Sequence, residues 1–273
     1  MHEPLQIRKT KLGKGTTMYV VVVEDHQAIG RAAAAIVLDA LGTDPDLVLG
    51  VATGSSPRPI YQALLEAHRT GTDFSRVRCV ALDEYLGLEA TDPASYHSFV
   101  RREIAVPLGL RPENVLVPDG AAPDPSAACV DFEASLADLG GVAVQLLGLG
   151  RNGHLGFNEP GSSFSSRTRV ATLSQSTREA NARFFADLDQ VPTHSITQGL
   201  GTILEAGRLV LVASGPHKAP AVAAAVEGSL SETCPASVLQ IHARATVIVD
   251  RDAAADLART DLRPAAAVDD WLH

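Results

Sequence analysis

The chain predicts an α/β fold on a mostly parallel sheet. Short apolar, β-branched runs alternate with amphipathic helical segments, and the runs are apolar at nearly every position. Such strands lack the polar alternation of a half-solvated sheet, so they belong in a sheet covered by helices on both faces.

MYVVVV (18–23) is the first run. Asp25 then caps a helix whose apolar positions Ile29, Ala33, Ile36, Val37, Ala40 and Leu41 share one face. LVLGVA (47–52) reads as a strand, and PRPIYQALLEAHR (57–69) as a helix with proline in its first turn. VRCVAL (77–82) is a strand, followed by a loop and a helix near 95–107. AVQLLGLG (143–150), RLVLVAS (208–214) and ATVIVD (245–250) are further strands, the last taken as the final one. The Pro/Ala/Asp-rich stretch 118–128 lies between units of the same kind and reads as a surface loop, not a linker. The expectation is one domain, residues 17–273, with a mostly parallel Rossmann-like sheet covered by helices on both faces. Residues 1–16 form a basic N-terminal extension without periodicity, expected to be disordered or to pack late.

Composition narrows the function. With 23 basic and 32 acidic residues the net charge is −9, which argues against a general nucleic-acid binder. Four lysines stand against nineteen arginines, and Lys218 is the only lysine outside the first fourteen residues. The three cysteines form no CxxC pair, which fits a reducing compartment. No apolar run approaches the length that spans a bilayer, and the N-terminus has no secretory h-region, so a cytoplasmic location is expected.

Three segments carry chemistry, each after an expected strand, where open α/β sheets bind ligands. Thr53-Gly54-Ser55-Ser56-Pro57 is either a phosphate cradle or an ordinary turn with a serine cap. Asp83-Glu84-Tyr85 ends a buried strand in two carboxylates, which act either as a general base or as solvated loop acids. The third, LLGLGRNGHLGFNEPGSSFSSRTR (146–169), holds Asn152, His154, Asn158 and Glu159 among closely spaced glycines. Gly148, Gly150 and Gly153 match a bare GxGxxG, but no long apolar helix follows, so a nicotinamide cofactor is not expected. His154 with Glu159 reads as an imidazole oriented by a carboxylate. Ser176 to Glu179 has capping-box spacing and is expected to start the helix carrying Arg183. Arg183 faces either the ligand or the surface, and Lys218 suits a phosphate oxygen. The nine histidines show no HxH or HxxxH spacing, so no metal is expected.

These residues, with TGSSP (53–57), LDEYLGL (82–88), SYHSF (95–99), STREANARFF (176–185), QVPTHSITQGLGTIL (190–204) and GPHKAPAVAAAVEG (215–228), resemble the glucosamine-6-phosphate deaminase family over roughly residues 18–250. The resemblance implies conversion of glucosamine 6-phosphate and water to fructose 6-phosphate and ammonia, without cofactor or metal. It implies that Asp83 moves a proton between C2 and C1, and that His154, supported by Glu159 and Asn152, opens the sugar ring. Gly54, Ser55, Ser56, Arg183 and Lys218 resemble the family's phosphate contacts.

Asn152 stands where the family often has aspartate, so Glu159 is expected to carry more of the imidazolium's charge. Some members bind an N-acetylated sugar phosphate at an allosteric site using basic residues after the SRTR run. Here Arg169 remains but Ala171 replaces the next such residue, so that activation is not expected. The rival readings are a 6-phosphogluconolactonase-like hydrolase, a galactosamine-6-phosphate deaminase and a sugar-phosphate sensor without turnover. The expected partner is a small sugar phosphate, with no nucleic acid and no membrane. A homo-oligomer stays open, because no interface patch is legible in the sequence.

Overall fold

The computed structural model describes residues 6–13, 16–258 and 263–264, and among them nine strands form one sheet and three a second. The chain opens with β1 (Gln6–Gly13) and β2 (Thr16–Val23), then α1 (His26–Thr43), β3 (Val48–Val51), α2 (Arg58–Arg69), β4 (Arg78–Ala81) and β5 (Asp83–Tyr85). There follow α3 (Tyr96–Val100), β6 (Val115–Leu116), α4 (Pro125–Asp138), β7 (Val144–Gly148), β8 (Arg169–Thr172), α5 (Gln175–Asn181) and β9 (His194–Thr197). The last elements are α6 (Leu200–Leu204), β10 (Leu209–Ala213), α7 (Ala219–Val226), β11 (Arg244–Asp250) and β12 (Arg263–Pro264).

The large sheet runs β12-β1-β2-β11-β10-β7-β3-β4-β6, parallel from β2 to β6 with β1 and β12 antiparallel at one edge. Period-2 alternation sorts its side chains into two layers. Tyr19, Val21 and Val23 join one apolar layer with Ile29, Ile36 and Val37 of α1 and Ile60 and Leu64 of α2. Met18, Val20 and Val22 join the other with Phe132 and Leu136 of α4, Ile203 of α6 and Val222 of α7. This is the two-sided cover the apolar strands predicted. Each aliphatic side chain fully buried here contributes about 1.5–3 kcal/mol. As expected, Asp25 caps α1, its carboxylate accepting from the Ala28 N–H at 2.7 Å.

Several expectations are corrected. Residues 6–13 are no disordered extension: they pair with β2, and Arg8 forms a largely buried ion pair with Glu227 at the end of α7. The loop drawn over 118–128 stops early, because Asp124 accepts from the Ser126 and Ala127 N–H groups and starts α4 at Pro125. β11 is not the final strand, since β12 follows. The helix near 95–107 widens after Val100 into a π-turn over Arg101–Ala105. The second sheet, β5-β9-β8, is antiparallel and was not foreseen.

From β2 the chain crosses to β3 and steps outward through β4 to β6, then returns to β7 on the other side of β3. The order therefore reverses between β3 and β7. Crevices at such a switch point, at the carboxyl ends of the strands, are where these sheets bind ligands.

Candidate active site

Five segments converge on that edge around a cavity of about 850 Å³, lined by Gly54, Ser55, Ser56, Asp83, Asn152, His154, Arg183 and Lys218 among others. Of the residues expected to act in catalysis or to hold the phosphate, Glu159 alone is absent from the lining.

The turn after β3 is made by Gly54, whose φ of 93° is open to glycine at no steric cost. Ser55 and Ser56 lead directly into the N-terminus of α2, whose dipole favours an anion. His26 at the start of α1 braces the turn, its Nε2 lying 3.2 Å from the Ser56 carbonyl oxygen.

β4 runs into β5 through Leu82, and the chain leaves the large sheet to pair with β9, setting Asp83 opposite Thr197. The two adjacent carboxylates separate. Glu84 turns away and caps α3, accepting from the Ser95 hydroxyl at 2.7 Å and from the Tyr96 and His97 N–H groups at 2.9 Å. Asp83 lines the cavity, is 4% exposed, and its Oδ1 has no hydrogen-bond partner among the described residues. Burial, with the charge of Glu84 adding to it, pushes its carboxyl up to about 8. Tyr85 and Tyr96 wall this side, their hydroxyls 3.3 Å apart, and Tyr96 stacks parallel to Phe157.

The loop after β7 places the imidazole. A methyl on Gly150 would lie 2.4 Å from atoms of the His154 ring, so the ring rests on bare backbone there. Gly153, at φ 84°, turns the chain back, and its N–H donates to the Gly150 carbonyl at 3.1 Å. The His154 Nδ1 faces Glu159 Oε2 at 3.7 Å, close enough for charge attraction but beyond hydrogen-bond length. Glu159 is fixed from both ends. Asn152 donates to Oε2 at 2.7 Å, while the hydroxyls of Ser174 (2.9 Å) and Thr177 donate to Oε1. Burial alone would raise its carboxyl, but the neighbouring imidazole and these donors hold it down at about 2. Asn152 thus acts on the carboxylate, and its own Oδ1 accepts from the His154 backbone N–H at 3.3 Å.

Lys218 sits where the chain leaves β10 and enters α7, and its Nζ donates to the Leu149 carbonyl at 2.5 Å. Burial first, then the charges of Arg151 and Arg183, lower its ammonium to about 8. Arg183 lies in a short 3-10 turn after α5 and packs over the Phe184 ring. The expected helix start is corrected: Ser174, not Ser176, caps α5, accepting from the Thr177 N–H at 3.2 Å. Arg169 is tied inside the fold, donating to Asn158 Oδ1 at 2.7 Å and Ser162 Oγ at 3.0 Å, and Ala171 is buried.

The sequence reading missed Ser174 and Thr177 as holders of Glu159, and Arg151 as a lining cation. Ser174 and Thr177 stand fifteen and eighteen residues past Glu159, so local spacing gave no signal. Arg151 was adjacent to a chosen residue and was overlooked. Among the described residues no group of three or more His, Cys, Asp or Glu is arranged to hold a metal.

The chain matches the family described as glucosamine-6-phosphate isomerases/6-phosphogluconolactonase over residues 24–248. It is 52% identical over 244 residues to a glucosamine-6-phosphate deaminase of Pseudarthrobacter chlorophenolicus, covering 89% of this chain and 94% of that one. It is 53% identical over 246 residues to one of Streptomyces avermitilis, with the same coverage. A solved structure described as a monomeric glucosamine-6-phosphate deaminase superposes with a TM-score of 0.85 at 43% identity, over 87% of this chain and 99% of that one. A 6-phosphogluconolactonase from Trypanosoma cruzi, at 19% identity and a TM-score of 0.72 over 88% and 96%, shares the fold.

Proposed function

Because the chain belongs to the glucosamine-6-phosphate isomerase/6-phosphogluconolactonase family, we propose that its cavity carries out the isomerising deamination of glucosamine 6-phosphate to fructose 6-phosphate and ammonia. One observation carries the assignment of roles: a buried carboxylate with one unpartnered oxygen and a carboxylate-backed imidazole share one cavity with cations able to hold a phosphate.

The phosphate binds at Gly54, Ser55 and Ser56 with Lys218 and Arg183. It lies away from the reacting carbons and holds the flexible open chain in place. His154 opens the ring, taking the proton of the anomeric hydroxyl and returning one to the ring oxygen. Glu159, ionised at any working pH, stabilises the imidazolium between these transfers, and Asn152 orients Glu159. Asp83 then removes the C2 proton next to the C1 aldehyde, giving an enolamine. The same carboxyl returns that proton to C1. The resulting C2 iminium takes up water, and the tetrahedral adduct expels ammonia to leave the C2 ketone. A carboxyl near 8 suits this double duty, since it accepts and gives back a proton at comparable cost near neutral pH.

No helix among the described residues is long and apolar enough to cross a membrane. The cytoplasm is the proposed location, where three cysteines without a disulfide belong.

Incubation with glucosamine 6-phosphate is expected to release ammonia and fructose 6-phosphate in equal amounts. Hydrolysis of 6-phosphogluconolactone without ammonia release from the amino sugar would replace this reading with the lactonase one. A higher kcat/KM on galactosamine 6-phosphate would reassign the substrate to the C4 epimer.

A further inference from the structure

We propose that Arg151 makes the phosphate site selective for a doubly charged ester, adding from the β7 loop a cation to those supplied by Lys218 and Arg183. The proposal rests on the deaminase reading above and adds to it a residue and a basis for selectivity.

Arg151 lines the cavity and forms no ion pair among the described residues. The Lys218 ammonium reaches the carbonyl oxygen of Leu149, two residues before Arg151, so both cations belong to the same loop mouth. Their proximity is felt electrically: the Arg151 charge lowers the Lys218 ammonium, with Arg183 adding to it. The other arginines of the cavity differ. Arg58 and Arg102 both meet Glu103, at 3.5 and 3.0 Å, and are partly compensated. The carboxylates on this side are Glu179, which lines the cavity and accepts from Gln175 Nε2 at 2.9 Å, and Asp250, which accepts from the Ser214 hydroxyl and the Gly215 and Ala253 N–H groups. Among the described residues Arg151, Arg183 and Lys218 form no salt bridge with any of these carboxylates, so their positive charge is not directly paired. Like charges that share one cavity repel one another, and a phosphate monoester dianion is a ligand that relieves that repulsion.

Coulomb attraction scales with the ligand's charge, so removing one cation costs a dianion about twice the free energy it costs a monoanion. A phosphate ester is mostly dianionic near neutral pH, whereas the isosteric sulfate ester is a monoanion. The test compares Arg151→Gln with the unsubstituted protein at low ionic strength, where screening is weak. The KM for glucosamine 6-phosphate is expected to rise about tenfold with little change in kcat. Competitive inhibition by glucosamine 6-sulfate should weaken only about threefold, and Arg151→Lys should restore most of both. Equal losses for the two esters, an unchanged KM, or a loss confined to kcat would overturn the proposal. Protection against thermal unfolding by inorganic phosphate reads the same cation without turnover. If the unsubstituted protein released no ammonia, the deaminase reading would fall, while about tenfold weaker protection in Arg151→Gln would still uphold the cation and equal protection would overturn it.

Discussion

Asp83 shows how function works against stability at a single residue. Its carboxyl titrates near 8 in the folded chain against about 3.9 unfolded, so the folded state holds a proton that the unfolded state has lost. Stability must therefore fall as pH rises through that window, the opposite of a salt-bridged aspartate. Asp83→Asn keeps the shape and removes the charge. We expect its melting temperature to exceed that of the unsubstituted protein, with the gain growing from pH 5 to pH 8 to on the order of 5 °C. A gain independent of pH would mean that Asp83 is ionised in the fold. Glu159 has the reverse sign: its stabilising effect is present above about pH 4 and is lost as pH falls toward 2. Lys218→Ala should raise KM with a smaller effect on kcat; a loss of kcat alone would move Lys218 to the reacting carbons. At this scale the placement of side chains was readable, since Asp83, His154 and Lys218 all line the cavity. Asp83, His154 and Lys218 each followed an apolar run, and a strand's carboxyl end is a strong positional cue.

At the scale of elements legibility was uneven. The parallel strands were clear because two-sided burial leaves unbroken apolar runs such as MYVVVV. β5, β8 and β9 (DEY, RVAT, HSIT) are three or four residues long and rich in polar groups, so no period could reveal them. Yet they form the second sheet, which turns Asp83 into the cavity. α5 has the same lesson in its cap. Ser176 with Glu179 matched the capping pattern, but Ser174 takes the role because its hydroxyl serves both the helix and Glu159. Ser174→Ala should therefore cost about 1 kcal/mol of stability for the lost cap and also lower turnover. A stability loss with full activity, measured by denaturant melts beside the ammonia assay, would sever the cap from the site.

For the whole molecule the sequence foretold the class of fold but not its strand order. The reversal between β3 and β7 arises from pairings between distant segments, which no local pattern encodes. The basic N-terminus was likewise opaque. Its residues lack the apolar signal of an inner strand, yet 6–13 pair with β2 on one side and β12 on the other, and Arg8 fastens that end of the sheet to the end of α7. Arg8→Ala, which leaves the partly buried Glu227 without its cation, should destabilise the fold by about 1–2 kcal/mol; a variant melting within a degree of the original would show the ion pair to be dispensable. A net charge of −9 does not bar the proposed anionic substrate, because three cations, Arg151, Arg183 and Lys218, line the one cavity. Asp83 is the proposed base of an amino-sugar phosphate deamination. Ammonia release from glucosamine 6-phosphate, compared between the unsubstituted protein and Asp83→Asn with substrate binding measured alongside, tests this most directly. We predict a loss of turnover of about 10²–10⁴ with binding retained, and turnover within a few-fold of the original would contradict it.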